Sequence, residues 1–258
     1  MIHFHPDTQR FMDLALPYSN WGQTYFDIRA MELMIVDGMF PGLLSGPKKR
    51  ALDVGCGVGF AASWLAPRFM HVDGTDIDEL GVAFKVDRPS PIVGRELMQQ
   101  AGIANVTLNC GDTFDFLEQR DATYDMVLSV FVMEHVEEID RLCHGISKTL
   151  KPGGKTLNIV PNTHDTIIQL LQKNLSPLIE NLKTAWKLRK STARADGRRF
   201  GGMIAPITHS EFLSDYREQF AVNSLERYIF PMVRSGLVIR DIKPVREHSF
   251  AIVAEKVA

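Results

Sequence analysis

Residues 51–60 read ALDVGCGVGF, and this run constrains the chain more than any other stretch. An apolar segment of strand character leads directly into glycines at every second position, Gly55, Gly57 and Gly59. Glycine accepts backbone dihedrals closed to other residues and lets a ligand approach the main chain. Such a junction belongs between a buried strand and a helix. From about residue 49 short apolar runs alternate with helical stretches, which predicts βαβ units and a parallel sheet. Strands are expected near 50–54, 71–75, 105–109, 124–130 and 155–160, and two more strand-like runs, 237–245 and 250–256, close the chain. Asp87-Arg88-Pro89-Ser90-Pro91 predicts a break in the second helix, with a new one running through Leu97 to Ala101.

The flanks read differently. Residues 5–40 are expected to be largely helical, with Ile28, Met31, Met34 and Ile35 at helical spacing and Asp37-Gly38 marking an end. After Pro161 the alternation stops. Thr166 to Lys190 carries an apolar stripe at Ile168, Leu171, Leu175, Leu178, Leu182 and Ala185, with Ser176-Pro177 restarting a helix. A helix is expected at 211–220 and a shorter one near 225–230, stopped by Pro231. The expected organisation is an N-terminal helical cap over 1–48, a core over 49–162 and 236–258, and a helical insertion over 163–235.

Composition excludes several classes. With 258 residues, 45% hydrophobic, the chain can bury a normal core without staples. A net charge of −2 argues against binding nucleic acid through bulk charge. Three cysteines, Cys56, Cys110 and Cys143, form no CxxC pair, against a disulfide framework or a zinc site. The first residues lack the basic start and apolar run of a signal peptide, and no window is long and apolar enough to span a bilayer. A soluble, cytoplasmic protein is expected.

The glycine run leaves two readings, a tight turn or a ligand cradle. The dinucleotide fingerprint needs a third glycine where Phe60 stands. Asp53, just before the loop, would repel a pyrophosphate and suits a ligand with an ammonium group. About twenty residues on, Gly74-Thr75-Asp76-Ile77-Asp78 ends the next strand. A carboxylate there can accept hydrogen bonds from both ribose hydroxyls. Asp76 is the better placed, with Asp78 as a helix cap. Asp112 ends the third strand in Asn109-Cys110-Gly111-Asp112-Thr113 and can either accept from an exocyclic amine such as adenine N6 or cap a helix.

Taken in order, LDVGCGVG at 52–59, GTDID at 74–78, GD at 111–112, YDMVLSVFVMEHV at 124–136 and LKPGGKTLNI at 150–159 resemble the motifs of class I S-adenosylmethionine-dependent methyltransferases. The resemblance covers about residues 50–160. It implies an α/β fold, a Rossmann-like seven-stranded doubly wound sheet with one antiparallel strand, N-terminal helices and a helical insertion after strand five. It implies S-adenosyl-L-methionine as cofactor, with Gly55 and Gly57 against its methionine part, Asp76 on the ribose and Asp112 at the adenine. Ser129 and Val130 would line the methionine and sulfonium side, and Asp53, Cys56, Gly59, Ile77 and Thr113 complete the expected set. Met133-Glu134-His135-Val136 is most similar to a small-molecule branch that includes the ubiquinone-biosynthesis O-methyltransferases. There an arginine on the helix before the first strand contacts the cofactor's carboxylate. Arg29 is the candidate here, its alternative being an exposed arginine on an amphipathic helix. Where some relatives place a second glutamate three residues before the Glu-His pair, this chain has Phe131, so no metal is expected.

Methyl transfer to oxygen or nitrogen releases a proton, and histidine titrates in the useful range. His135, after the fourth strand, is the first candidate base and His209 the second, while His164 follows the fifth strand. Each can equally cap a helix. Tyr18, Trp21 and Tyr25 can close over the pocket or simply fill the core. From Lys183 to Arg199 seven basic residues face one acid, Asp196, and Gly197, Gly201 and Gly202 surround Phe200. This stretch suits a lid, a peripheral membrane contact or a solvated basic face, and an exposed apolar stripe would support a homodimer. The expected function is methyl transfer to a small-molecule acceptor, at oxygen. The alternatives are a membrane-docking methyltransferase of a lipid or quinone precursor and a non-catalytic cofactor-binding scaffold. A nucleic-acid acceptor is disfavoured by the chain's acidity.

Overall fold

Seven strands form one sheet in the order β3-β2-β1-β4-β5-β7-β6 in a computed structural model that describes residues 4–19, 22–44, 50–77, 87–161, 225–246 and 249–257. The strands are β1 (Arg50–Val54), β2 (His71–Asp76), β3 (Val106–Cys110), β4 (Tyr124–Val130), β5 (Leu150–Pro161), β6 (Leu237–Arg246) and β7 (Ser249–Lys256). β1 pairs in parallel with β2 and β4, β2 with β3, and β4 with β5. β7 inserts antiparallel between β5 and β6. The protein is therefore an α/β doubly wound sheet with one reversed strand, as expected. The order turns back on either side of β1, and the crevice above the carboxyl ends of β1 and β4 is the usual place for a ligand in such a sheet.

Helices cover both faces. α1 (Pro6–Ala15), α2 (Gln23–Met39), α3 (Phe60–Leu65) and α4 (Ser90–Ala101) bury one cluster that includes Phe11, Phe26, Leu33, Phe60, Trp64, Leu97, Met126 and Leu128. α5 (Thr113–Glu118), α6 (Ile139–Thr149) and α7 (Leu225–Arg234) bury the other, with Leu117, Ile146, Tyr228 and Met232 against Leu52, Val54, Val127 and Ile252. Both faces of β1 and β4 are thus apolar, as parallel strands sandwiched between helices require.

Three expectations change. α2 does not bury the stripe through Ile28, Met31, Met34 and Ile35. Its inward face is Phe26, Ala30, Leu33 and Val36, while Met31 and Met34 are 37% and 43% exposed. Apolar residues lie on several sides of this helix, and the edge-on contact of Phe26 with Phe60 selects the buried one. Nor does α2 stop at Asp37-Gly38, since it runs to Met39. Pro231 lies inside α7 instead of ending it. The proline is itself buried beside Tyr228 and Met232, and packing on that face outweighs one forfeited backbone hydrogen bond.

Met1–Asn162 and Leu225–Ala258 form one unit, so α7 belongs with the sheet rather than with the preceding insertion. The helices expected at 166–190 and 211–220, Trp21, Asp78, His164, His209 and the basic stretch lie outside the described residues. Among the described residues no helix is long and apolar enough to cross a membrane.

Candidate active site

The loop after β1 is tied down before any ligand is considered. Gly55 and Cys56 donate their backbone N–H groups to the Thr75 carbonyl at 2.8 and 3.1 Å. Gly57 N donates to Asp76 Oδ2 at 2.6 Å, and Ile77 N to Oδ1 at 2.8 Å. The Asp76 carboxylate therefore fixes the glycine loop against the end of β2. A carboxylate oxygen accepts more than one hydrogen bond, so this group is of the type that receives a diol.

The glycines answer to different constraints. Gly55 has φ +70°, and a Cβ there would overlap the Val132 side chain. Gly57 has φ +52°, and nothing lies within 4 Å of where its Cβ would be. That open space, above a carboxylate and beside a cleft, is a cradle a ligand can enter. At Gly59 a side chain would press on Leu108 and Met98, so this glycine serves packing at the start of α3. Gly94 on α4 admits the Val58 carbonyl, which seats that helix against the loop.

A cleft opens beside the loop. Tyr25, Arg29 and Leu33 of α2, Asp53, Gly55 and Cys56 of β1 and its loop, Phe60 and Ala61 of α3, and Val130 of β4 line it. Asp53 is 2% exposed and its Oδ2 has no hydrogen-bond partner. Burial, then the nearby Asp76 charge, push its carboxyl up to about 8, and the Ala62 backbone offsets a part. An unpartnered buried carboxyl in a cleft wall calls for a donor. Arg29 also faces the cleft. Its Nη1 donates to Glu32 Oε2 at 2.8 Å, and its guanidinium lies 4.3 Å from the Phe131 ring centroid. Arg29 also hydrogen-bonds the Tyr25 side chain, and a guanidinium carries five N–H donors. The cleft thus presents an acid for an ammonium group, a guanidinium for a carboxylate and, past the glycines, Asp76 for a diol. These residues fit S-adenosylmethionine.

Other expected positions fall out less simply. Asp112 caps α5: its Oδ1 accepts from Phe114 N at 2.7 Å and Asp115 N at 3.2 Å, with Thr113 opening the helix. Ile77 is 45% exposed beside Asp76 and offers an apolar surface at that end. Cys56 lines the cleft, and burial pushes its thiol well above the usual range. Ser129 does not line the cleft with Val130. Successive strand residues face opposite ways, and Ser129 is buried on the α6 and α7 side, its hydroxyl without a partner. His135 is 55% exposed, with Nε2 3.8 Å from Glu134 Oε1, beyond hydrogen-bond reach. Tyr25 lines the cleft, and Tyr18 is exposed. Glu32, three residues from Arg29, and the apolar walls Leu33, Phe60 and Ala61 were not anticipated. Only the i, i+3 spacing of Arg29 and Glu32 carried a signal. Among the described residues no three His, Cys, Asp or Glu side chains converge as a metal site would require.

Comparison with known proteins bears on the fold that carries this cleft. Residues 52–157 match a family model described as a methyltransferase domain. A ubiquinone biosynthesis O-methyltransferase of Acinetobacter baumannii is 29% identical over 174 residues, 64% of this chain and 68% of that protein. Two solved structures share the fold. The PH0226 protein of Pyrococcus horikoshii superposes with a TM-score of 0.59 at 18% identity, over 93% of this chain and 94% of that one. A geranyl diphosphate C-methyltransferase of Streptomyces coelicolor, solved with S-adenosyl-L-homocysteine, gives 0.55 at 16% identity, over 89% and 78%.

Proposed function

We propose that the chain is a class I S-adenosylmethionine-dependent methyltransferase that methylates a hydroxyl oxygen of a small-molecule acceptor. The observation that carries the reading is the protonatable pair Glu134-His135 on a single 3₁₀ turn, Met133–His135, directly beyond the cleft-lining end of β4. A hydroxyl sheds its proton as it is methylated, so a nearby proton acceptor suits it. Similarity to an O-methyltransferase favours oxygen over nitrogen.

The bound cofactor supplies an electrophilic methyl group on a sulfonium. The chain's part is to hold, orient and dry the site. Asp53 receives the ammonium group and Arg29 the carboxylate of the methionine part. Asp76 takes the ribose hydroxyls, and the open position at Gly57 admits the ligand against the main chain. Leu33, Phe60, Ala61 and Val130 keep water from the cleft, which strengthens each polar contact made there.

The test is a competition. Purified protein with methyl-labelled cofactor is offered phenols, catechols, aliphatic alcohols and amines in parallel. Label recovered in an aryl or alkyl methyl ether is the expected result. Label recovered only in methylated amines, or in no hydroxyl compound, overturns the assignment to oxygen.

A further inference from the structure

We propose that Glu134 is the group that accepts the acceptor's proton and that Tyr228 of α7 positions it, an inference that rests on the hydroxyl reading above. The buried polar atoms without a partner are not scattered. Ser129 Oγ, Asn158 Oδ1, Glu134 Oε2 and Tyr228 Oη are all among them. Ser129 and Asn158 are register partners on β4 and β5. Both face the α6 and α7 side, where Tyr228 packs at 0% exposure. Glu134 follows at the end of β4, its side chain 11% exposed, and Arg227 Nη2 donates to its carbonyl at 3.2 Å. Four buried polar groups without a partner thus come from β4, β5, the turn after β4 and α7, and Glu134 and Tyr228 are near enough to act on each other electrostatically.

Glu134 follows Val130 of the cleft wall along the chain, and Arg29 of the cleft acts electrostatically on its carboxyl. The residues leading to it each touch the cleft or its walls: Val130 lines it, the Phe131 ring lies under Arg29, and Val132 fills the space beside Gly55. Phe131 takes φ +54°, a conformation costly for a non-glycine residue, and its N–H is held by the Ile159 carbonyl at 2.9 Å. Strain of this kind persists where the surroundings over-determine it, and here it turns the chain so that Glu134 follows the cleft wall. Four titratable or charged groups bear on the Glu134 carboxyl: His135 beside it, Arg29 from the cleft, and Arg227 and Tyr228 from α7. Burial raises its proton affinity, offset in part by its own backbone N–H and the three bases. Burial and then Glu134 likewise raise Tyr228 above the usual phenol range.

In the transfer, the acceptor's O–H bond breaks toward Glu134 Oε2 while an oxygen electron pair forms the bond to the methyl carbon. The sulfur keeps the pair of the carbon–sulfur bond that breaks and loses its positive charge. The proton ends on Glu134 and returns to solvent after release of the methyl ether. His135, more exposed and 3.8 Å away, serves as the carboxylate's charge partner.

Glu134→Gln, Glu134→Asp and Tyr228→Phe test this. All three are expected to bind S-adenosyl-L-homocysteine within threefold of the parent by calorimetry, which reports an intact cleft. Infrared difference spectra of parent minus Glu134→Gln across pH should show a protonated carboxyl titrating above the ordinary carboxylate range and moving in Tyr228→Phe. A band that titrates in the ordinary range and ignores Tyr228 overturns the proposal, whatever the acceptor. With 4-nitrocatechol as oxygen probe, kcat of Glu134→Gln should fall about 100-fold with KM within threefold. The rise of kcat with pH through the carboxyl's ionisation should vanish, and Glu134→Asp should recover part of the rate. Parent turnover with Glu134→Gln within threefold of it also overturns the proposal. If the parent methylates no hydroxyl probe, the hydroxyl reading fails, and the infrared titration still decides the role of Glu134.

Discussion

At the scale of single residues, Asp53 does the most with the least. Its carboxyl titrates near 8 when folded, against about 4 in an unfolded chain. Below pH 4 both states are protonated, and Asp53 contributes nothing to the pH dependence of stability. Between 4 and 8 the unfolded state binds fewer protons than the folded one, so stability falls as pH rises and levels off above 8. Asp53→Asn should remove this falling limb, and thermal melts at pH 5 and pH 8 read it directly. The same carboxyl must ionise to hold an ammonium group. Binding of S-adenosyl-L-homocysteine at pH 7 should therefore release about one proton, measured as a heat that depends on the buffer's ionisation enthalpy. Asp53→Asn should show no such dependence and bind about 10–100-fold more weakly, the range for losing a charged hydrogen bond.

Elements are held by another buried acid. Asp73 on β2 receives Arg50 Nη2 of β1 at 2.7 Å and Tyr124 Oη of β4 at 2.9 Å on Oδ2, and His71 Nε2 lies 3.2 Å from Oδ1. One carboxylate thus links the amino ends of β1 and β4 beneath the cleft. Asp73→Asn should cost about 2–3 kcal/mol in urea unfolding, as a buried pair loses its charge. Tyr124→Phe should cost about 1 kcal/mol, because Arg50 remains. Elements were legible where local pattern and tertiary demand agree. The first five strands and the two closing ones follow from apolar runs between helices, the one reversed strand from the family resemblance, and the loop from its glycines. The buried face of α2 was not legible, since its apolar residues surround the helix and Phe60 makes the choice. Asp112 was ambiguous because a carboxylate at a strand–helix junction serves cap and ligand alike. Nothing in the sequence joins Glu134 to Tyr228, or Ser129 to Asn158, since these groups come together only when distant segments fold.

For the whole molecule, the cofactor is a folding partner. A ligand that binds only the folded state at 100 times its Kd adds about 2.7 kcal/mol, or about 5–10 °C in Tm for a domain this size. S-adenosyl-L-homocysteine should give that shift in a thermal melt, and NAD, the control dinucleotide, should give none. The insertion of β7 between β5 and β6 has a further consequence, felt before the protein is complete. During synthesis β5, the 12 residues Leu150–Pro161, waits with one edge bare until Ser249–Lys256 have been made. At about 5–20 residues per second that wait lasts roughly 5–19 s. The nascent chain therefore carries an adhesive edge in the middle of its sheet, and its yield in a cell depends on chaperones that shield that edge as much as on the stability of the finished fold.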